Sequence, residues 1–462
     1  TVNLPTSCVV DFTEGYTVTL NVINGLTSPV SKVVGRNGVT SFTVTPNDGY
    51  KLELESDTCK GTLNGNTYTI SKVTSNISCS IGFKLNAPPA GSTLLAAIKY
   101  YNPTIKTRTD FDTTFTETNT GTLYKATESI AGNTPKDVYY FAGDAKNNWV
   151  KFGKYTSDGP IRGYPSENYI SFKEYTTLDE CNSASSYNNN CSYAWRKGDP
   201  MYWRIIRTNH DGSIRLLYSG TSPDTTSGYI GASAFDSNFI GPMYVGYMYG
   251  TSGSLDSNRT NTNDSTIKTY VDNWYKNNLT AYTKYLSKDA VYCNDRELAS
   301  GSTYNTGNTT FYYAPYGRLD SNKTPTYNCT NNKDAFSGSN SEAKLTYPIG
   351  LMSIDEIAYA GGKAHTKLPS SYTWYYLNSA GGSITEKFWW WSLSPSYCNN
   401  YSYPYVWLVY GSGISGRLGF NVVDGSNAVR PAISLKTCTL WTSGNGAPET
   451  PYEIRLDSDI SC

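Results

Sequence analysis

Histidine is nearly absent: His210 and His365 are the only two in 462 residues. No Cys-x-x-Cys pair occurs among the ten cysteines, so zinc-ligand spacing is missing as well. There is no net charge, with Lys+Arg at 38 and Asp+Glu at 38, which argues against nucleic acid as a partner because that role favours a basic field. No run of ~20 apolar residues is present, so no segment reads as membrane-spanning. The Gly-rich run Tyr410–Gly416 has no Walker lysine and does not lead into a helix, which excludes a phosphate cradle. A hydrolase triad needs a base beside a nucleophile. His210 falls in a turn and His365 in a polar loop, and both read as solvent-exposed loop residues.

What is abundant is tyrosine, 41 residues against 14 Phe. Tyrosine combines a large contact area and few rotatable bonds with a polar tip, and it also favours strands. The densest aromatic stretch is near the C-terminus. It runs from Phe388-Trp389-Trp390-Trp391 through Tyr401–Tyr410 to the strand Asn427–Lys436. Strand alternation should divide the three tryptophans between core and surface, with at least one buried.

Residues 1–85 alternate with period two. Tyr16, Val18, Leu20 and Val22 share a face, as do Phe42 and Val44, Leu52 and Leu54, Tyr68 and Ile70, and Ile81 and Phe83. Asn24-Gly25, Asn37-Gly38, Pro46–Gly49 and Asn64-Gly65 supply the turns. The expectation is a small β-sandwich-like module. Residues 86–135 read as linker and peripheral segment: a Pro/Gly/Ser spacer, a short helix over Thr93–Tyr101, then polar Thr-rich chain. Residues 136–462 form the head, mainly β with an α+β character, few helices and long loops. Strands are expected at Val138–Phe141, Trp149–Phe152, Tyr202–Ile206 and Ile214–Tyr218, with a turn at Thr208–Gly212. Ile267, Tyr270, Val271, Trp274 and Tyr275 recur at helical spacing, which predicts a helix over Ser265–Asn278. Ser353 and Glu356 form a capping box for a second helix that stops at Gly361.

The cysteines are well spread, which fits disulfides in an oxidising, extracellular setting. Local loop closure pairs Cys59 with Cys79, Cys181 with Cys191, Cys293 with Cys329 and Cys438 with Cys462, leaving Cys8 and Cys398. The chain opens on Thr1, so a leader or anchor is expected upstream. Asp355 and Glu356 read as first-turn charges favoured by the helix dipole rather than as an acid–base pair. No cofactor is expected. The Asn261–Asp264 and Asp424–Asn427 loops are the Ca²⁺ candidates, and turn formation explains both more simply.

Two resemblances add to this reading. The segment SFTVTPNDGYKLELESDTCKGTLNGNTYTISKVTSNISCSIGF resembles the immunoglobulin-like or internalin-B-type repeats of bacterial surface proteins, which space a head from the cell. The segments YYFAGDAKNNWVKFG, YWRIIRTNHDGSIRLLYSG, STIKTYVDNWYKNNL, YCNDR, LTYPIGLMSIDEIAYAGG, WWWSLSPS and NAVRPAISLK resemble a domain of surface and pilus-associated proteins of gut Gram-positive bacteria. Its end looks like the C-type lectin-like fold of formylglycine-generating-enzyme type, which also serves as the variable protein of diversity-generating retroelements. Here Ala428-Val429 stands for that family's Gly-Val, and Ala432 for its final Val.

The resemblance implies a scaffold role for Arg430 and a displayed, diversified stretch over Ser396–Asn427, which contains no Lys, Glu, Gln or Met. The enzymes of that type use a reactive cysteine. Cys398 has no second thiol near it in sequence and reads instead as a free surface residue in a varied loop. The candidate binding surface is Tyr397, Asn399, Tyr401, Tyr403, Tyr405, Trp407, Tyr410, Ser412, Ile414, Arg417, Phe420, Asn421 and Asp424, with Val406 and Leu408 facing the core.

The expected protein is therefore a non-enzymatic, extracellular adhesin on a bacterial surface or appendage. Its partner would be a protein or glycan on a host or neighbouring cell. One alternative is a fibre subunit that joins copies of itself by donating the strand Thr1–Phe12, with Cys8 as a covalent link. The other is an enzyme on the same scaffold.

Overall fold

The structure is a computed structural model. It describes residues 15–456 apart from 48, 114, 116, 167–170, 308, 368–372, 412, 413 and 415. Thr1–Phe12, Cys8, Ser412 and Cys462 therefore lie outside the described residues, and with them the strand-donation expectation and the Cys438–Cys462 pairing. The architecture is mainly β, and the chain divides into two compact units, Thr1–Pro89 and Ala90–Cys462.

In the first unit, eight strands form two four-stranded sheets. Their inward faces meet in one core of Val18, Leu20, Phe42, Val44, Tyr68, Ile70, Val73, Ile81 and Phe83, as period-two alternation requires. Leu52 departs from the expected pattern and is 41% exposed. The pairing of Tyr50–Asp57 with Ile77–Leu85 slips between Lys51 and Leu54, so Leu54 packs on the core and Leu52 does not. A disulfide joins Cys59 and Cys79.

The second unit is built on a ten-stranded sheet and a six-stranded sheet. The first contains Pro200–Thr208 and Ile214–Tyr218 as an antiparallel hairpin, with Pro431–Leu435 beside the latter. The boundary between the units falls inside the expected 86–92 spacer, and residues 93–135 belong to the second unit, with the short helix where it was expected. The helix Leu94–Tyr101, capped by Thr93, buries Leu94, Ala97 and Ile98. The strands Thr104–Lys106 and Thr122–Glu128 extend the large sheet. The polar composition of this segment is misleading at Glu128, whose charge is paired inside. Buried Glu128 lies 2.9 Å from Arg207 Nη2. Burial alone would raise the Glu128 pKa, but Arg207, His210 and Arg215 outweigh it and hold the carboxyl down at about 2. His210 is partly buried against the same carboxylate, which accepts from its backbone N–H, so it is not the free loop residue expected.

The helix Thr266–Asn278 starts at its Ser265 cap and buries Ile267, Val271, Trp274 and Tyr275. The helix Ile354–Ala360 begins with the Ser353–Glu356 capping box and stops at Gly361, whose φ of 121° suits glycine. Glu356 has a further role beyond the dipole. It is fully buried and takes Arg207 Nε and Arg215 Nη1, each at 2.7 Å. Disulfides close Cys181 with Cys191 and Cys293 with Cys329, and Cys438 is also disulfide-bonded.

Candidate functional site

The aromatic C-terminal stretch folds as an antiparallel meander of three strands, Trp390–Cys398, Pro404–Val409 and Leu418–Val422. Its frame is heavily buried. Trp390 and Trp391 are both 0% exposed and only Trp389 is half-buried, so simple alternation fails at consecutive tryptophans because this strand is covered on both faces. Trp391 donates its indole N–H to Ser233 O at 2.9 Å, and Ser392 Oγ donates to Trp407 O at 2.8 Å.

Arg430 is indeed scaffold. Fully buried, it donates to the carbonyls of Tyr218, Gly228 and Tyr375 and stacks 4.8 Å from the Trp390 ring. Desolvation with no carboxylate beside it lowers its pKa to about 9.

One face of the meander carries a continuous set of rings. Register places Tyr397 opposite Tyr405 and Trp407 opposite Phe420. The short strand Phe311–Tyr312 adds Tyr312 beside Tyr397. The turn after it brings in Tyr316, 4.4 Å from Tyr312 and 6.0 Å from Trp407 between centroids. Tyr397 and Tyr405 stack at 4.3 Å with planes 6° apart, and Phe420 stands edge-on to Tyr397 at 5.0 Å. Tyr312, Tyr316, Tyr397, Tyr405 and Phe420 are all half-buried, each presenting part of a ring to solvent.

Trp407 is 0% exposed and lies beneath them. That corrects its reading as a contact residue: Tyr316, Phe420 and His365 cover it. The phenol of Tyr316 is pushed up to about 12 by burial and by Asp320, so it stays a neutral donor at physiological pH. Tyr397 is raised too, by burial and then by Tyr405.

The edge of the platform is polar. Leu418 N donates to Lys363 O and His365 N to Leu418 O, which lays residues 363–365 along the end of the third strand. His365 Nε2 then lies 2.7 Å from Asp320 Oδ1, and its Nδ1 lies 3.2 Å from Arg417 Nη2. The ring thus bridges a carboxylate on one side and a guanidinium on the other.

The expected surface therefore breaks into parts. Tyr397, Tyr405, Phe420 and Arg417 belong to the platform or its rim. Tyr401 and Tyr403 sit at the hairpin tip with Phe239, 5.7 Å from Tyr403. Asn399 caps that tip, its Oδ1 accepting from Tyr401 N and Tyr403 N at 2.9 Å, so its side chain is spent on the turn. Tyr410 and Asn421 lie on the opposite face of the sheet. Ile414 is half-buried in the loop before the third strand, and Asp424 is exposed in the turn after it. Cys398 is not a surface thiol. It is 1% exposed within the first strand, and burial pushes its pKa up to about 12.

The Asn261–Asp264 loop is committed internally. Asn261 donates to Lys333 O and Glu342 O, and Asp264 pairs with Lys268. Among the described residues no group of three or more His, Cys, Asp or Glu is placed to hold a metal ion.

Sequence reading missed Tyr312, Tyr316, Asp320 and His365. The run FYYAPYGRLD, with tyrosines four residues apart, held a signal for the first two. Comparison of the chain with family models, with curated proteins and with solved structures finds no match. No helix among the described residues is long and apolar enough to cross a membrane. Three disulfides are compatible with an extracellular protein.

Proposed function

We propose that the second unit is the ligand-binding head of a non-enzymatic bacterial surface protein, on a C-type lectin-like scaffold, and that the platform of Tyr312, Tyr316, Tyr397, Tyr405 and Phe420 contacts a protein or glycan ligand. The observation that carries this is the contiguity of five half-exposed rings braced from below by a buried tryptophan. Rings held in place by packing lose little entropy on binding, and large aromatics with Arg at the rim are the residue types that dominate binding energy. The Tyr hydroxyls and the Asp320–His365–Arg417 rim supply direction to an otherwise apolar contact.

Array binding of the wild type and of a Tyr316→Ser/Tyr405→Ser double variant tests the reading. Both residues are half-buried, so the fold should survive. The expected result is a loss of at least about tenfold for the physiological ligand, of the size seen when interface anchors are truncated. If the double variant holds every hit as tightly as the wild type, the platform is not the site.

A further inference from the structure

The opposite face of the same meander carries a second recess. It has a volume of about 230 Å³ and is lined by Lys387, Phe388, Trp389, Asn421, Ser426 and Asn427. Phe420 and Asn421 are neighbours on one strand, so one points to the platform and the other to this recess.

The recess is held rigid by specific packing. Gly419 leaves room for Tyr410: a Cβ there would lie 2.0 Å from Tyr410 Cε2. Tyr410 in turn meets Trp389 edge to face, with centroids 4.4 Å apart and planes at 83°. Phe388, 4% exposed, is wedged against Tyr229 and Phe172 at 5.2 and 5.4 Å. Gly425 plays the same part on the polar side, where a Cβ would come within 2.5 Å of Asn421 Nδ2. Asn421 Oδ1 accepts from Val422 N at 2.9 Å, and its NH₂ has no partner among the described residues. The indole N–H of Trp389 and the hydroxyl of Ser426 are without partners among the described residues too, and buried Asn427 adds a second amide, whose NH₂ donates to Gly425 O at 3.4 Å and whose carbonyl oxygen remains as an acceptor.

We propose that this recess takes one terminal sugar ring of a glycan, at a site separate from the aromatic platform. Aromatic walls suit the apolar face of a pyranose. Two amides, a hydroxyl and an indole N–H give donors and acceptors to hydroxyl groups that do both. No carboxylate lines the recess, so nothing there selects a cation. The volume falls below that of drug-sized pockets, about 300–1,000 Å³, which limits the occupant to a single ring with the rest of the chain outside.

The test is a titration of the whole protein, ¹⁵N-labelled at tryptophan, with methyl glycosides of the common hexoses and N-acetylhexosamines. The Trp389 indole resonance is assigned with Trp389→Phe. One glycoside should move that resonance with a Kd of about 1 mM, the scale expected for a ligand of a dozen heavy atoms. Ser426→Phe fills the recess from an exposed position and should weaken binding by at least about tenfold while leaving the other indole signals in place. Tyr316→Ser/Tyr405→Ser should bind the same glycoside as the wild type does. The proposal is overturned if no glycoside moves the Trp389 signal, if Ser426→Phe binds like the wild type, or if the platform variant alone abolishes binding.

Discussion

Replacing Asp295 by Asn should stabilise the second unit, and increasingly so as pH rises. Asp295 Oδ2 lies 2.6 Å from Arg318 Nη2, with the aspartate side chain 13% exposed. Arg318 is already engaged by Asp355, through Nε at 3.0 Å and Nη2 at 2.8 Å. Burial raises the Asp295 carboxyl, Arg318 opposes this, and Asp355 and Asp334 add to it, for a pKa of about 6 against an ordinary 3.8. Below pH 3.8 both folded and unfolded chains hold the proton. Between 3.8 and about 6 the folded chain holds it and the unfolded chain does not, so this group's contribution to stability falls as pH rises. Above about 6 the full cost is present, about 3 kcal/mol at 1.36 kcal/mol per pKa unit. Asparagine removes the charge, keeps an acceptor for Arg318, and tolerates the left-handed backbone, φ 49°, at this position. The variant's stability relative to wild type should therefore grow by about 2 kcal/mol between pH 4.5 and pH 7.5. Guanidinium unfolding followed by tryptophan fluorescence measures this in the second unit alone, since all ten tryptophans lie beyond residue 89. A difference that stays flat with pH, or shrinks as pH rises, refutes the reasoning.

Glu356→Ala leaves Arg215 and Arg207 buried without a shared carboxylate and should cost about 3–5 kcal/mol in the same unfolding experiment. Near-wild-type stability would mean that water or Glu128 takes over the pairing. Trp407→Ala should cost about 3–5 kcal/mol as a core truncation, whereas Tyr401→Ala, at a side chain 69% exposed, should stay within about 0.5 kcal/mol. Equal effects would invert the division between frame and surface. The Cys398 thiol, buried and pushed up to about 12, should resist iodoacetamide in the native protein and label on unfolding, as read by peptide mapping. Rapid native labelling would contradict its burial.

What the sequence made legible was local. The cap at Ser265 and the apolar spacing through Tyr275 lie within one helix, and the Ser353–Glu356 box within one turn. The three disulfides close loops whose ends are 10, 20 and 36 residues apart. What escaped depended on distant partners. Glu128 finds Arg207 79 residues away, and without that pairing the strand bearing it reads as polar linker. Tyr312 and Tyr316 reach the platform only because Phe311–Tyr312 pairs with the Trp390–Cys398 strand. Nothing in alternation alone predicts that Trp407 is covered by rings from three other segments.

Alternation along Pro404–Val409 still assigns the faces correctly; cover from outside the sheet then grades them. Tyr405, Trp407 and Val409 share one face, yet exposure runs from half-buried to none. Toward Tyr405 the face is open. At Trp407 it is roofed by Tyr316 and His365, and at Val409 and its partner Leu418 it is sealed by the 362–364 segment, where a Cβ on Gly362 would lie 3.0 Å from Leu418 Cδ2. Solvent-accessible ring surface on this face is thus confined to the end that carries Tyr397, Tyr405 and Phe420. A polar side chain at 407 would sit unpaired in the core at a cost of about 1–3 kcal/mol, while one at 405 would meet water. Within Ser396–Asn427, then, any variation in sequence is structurally free at exposed Tyr401 and Asp424, bears on ring stacking at half-buried Tyr405, and is constrained at Cys398, Val406, Trp407, Leu408 and Leu418. The stretch works as a surface because roughly alternate residues of it are also the frame.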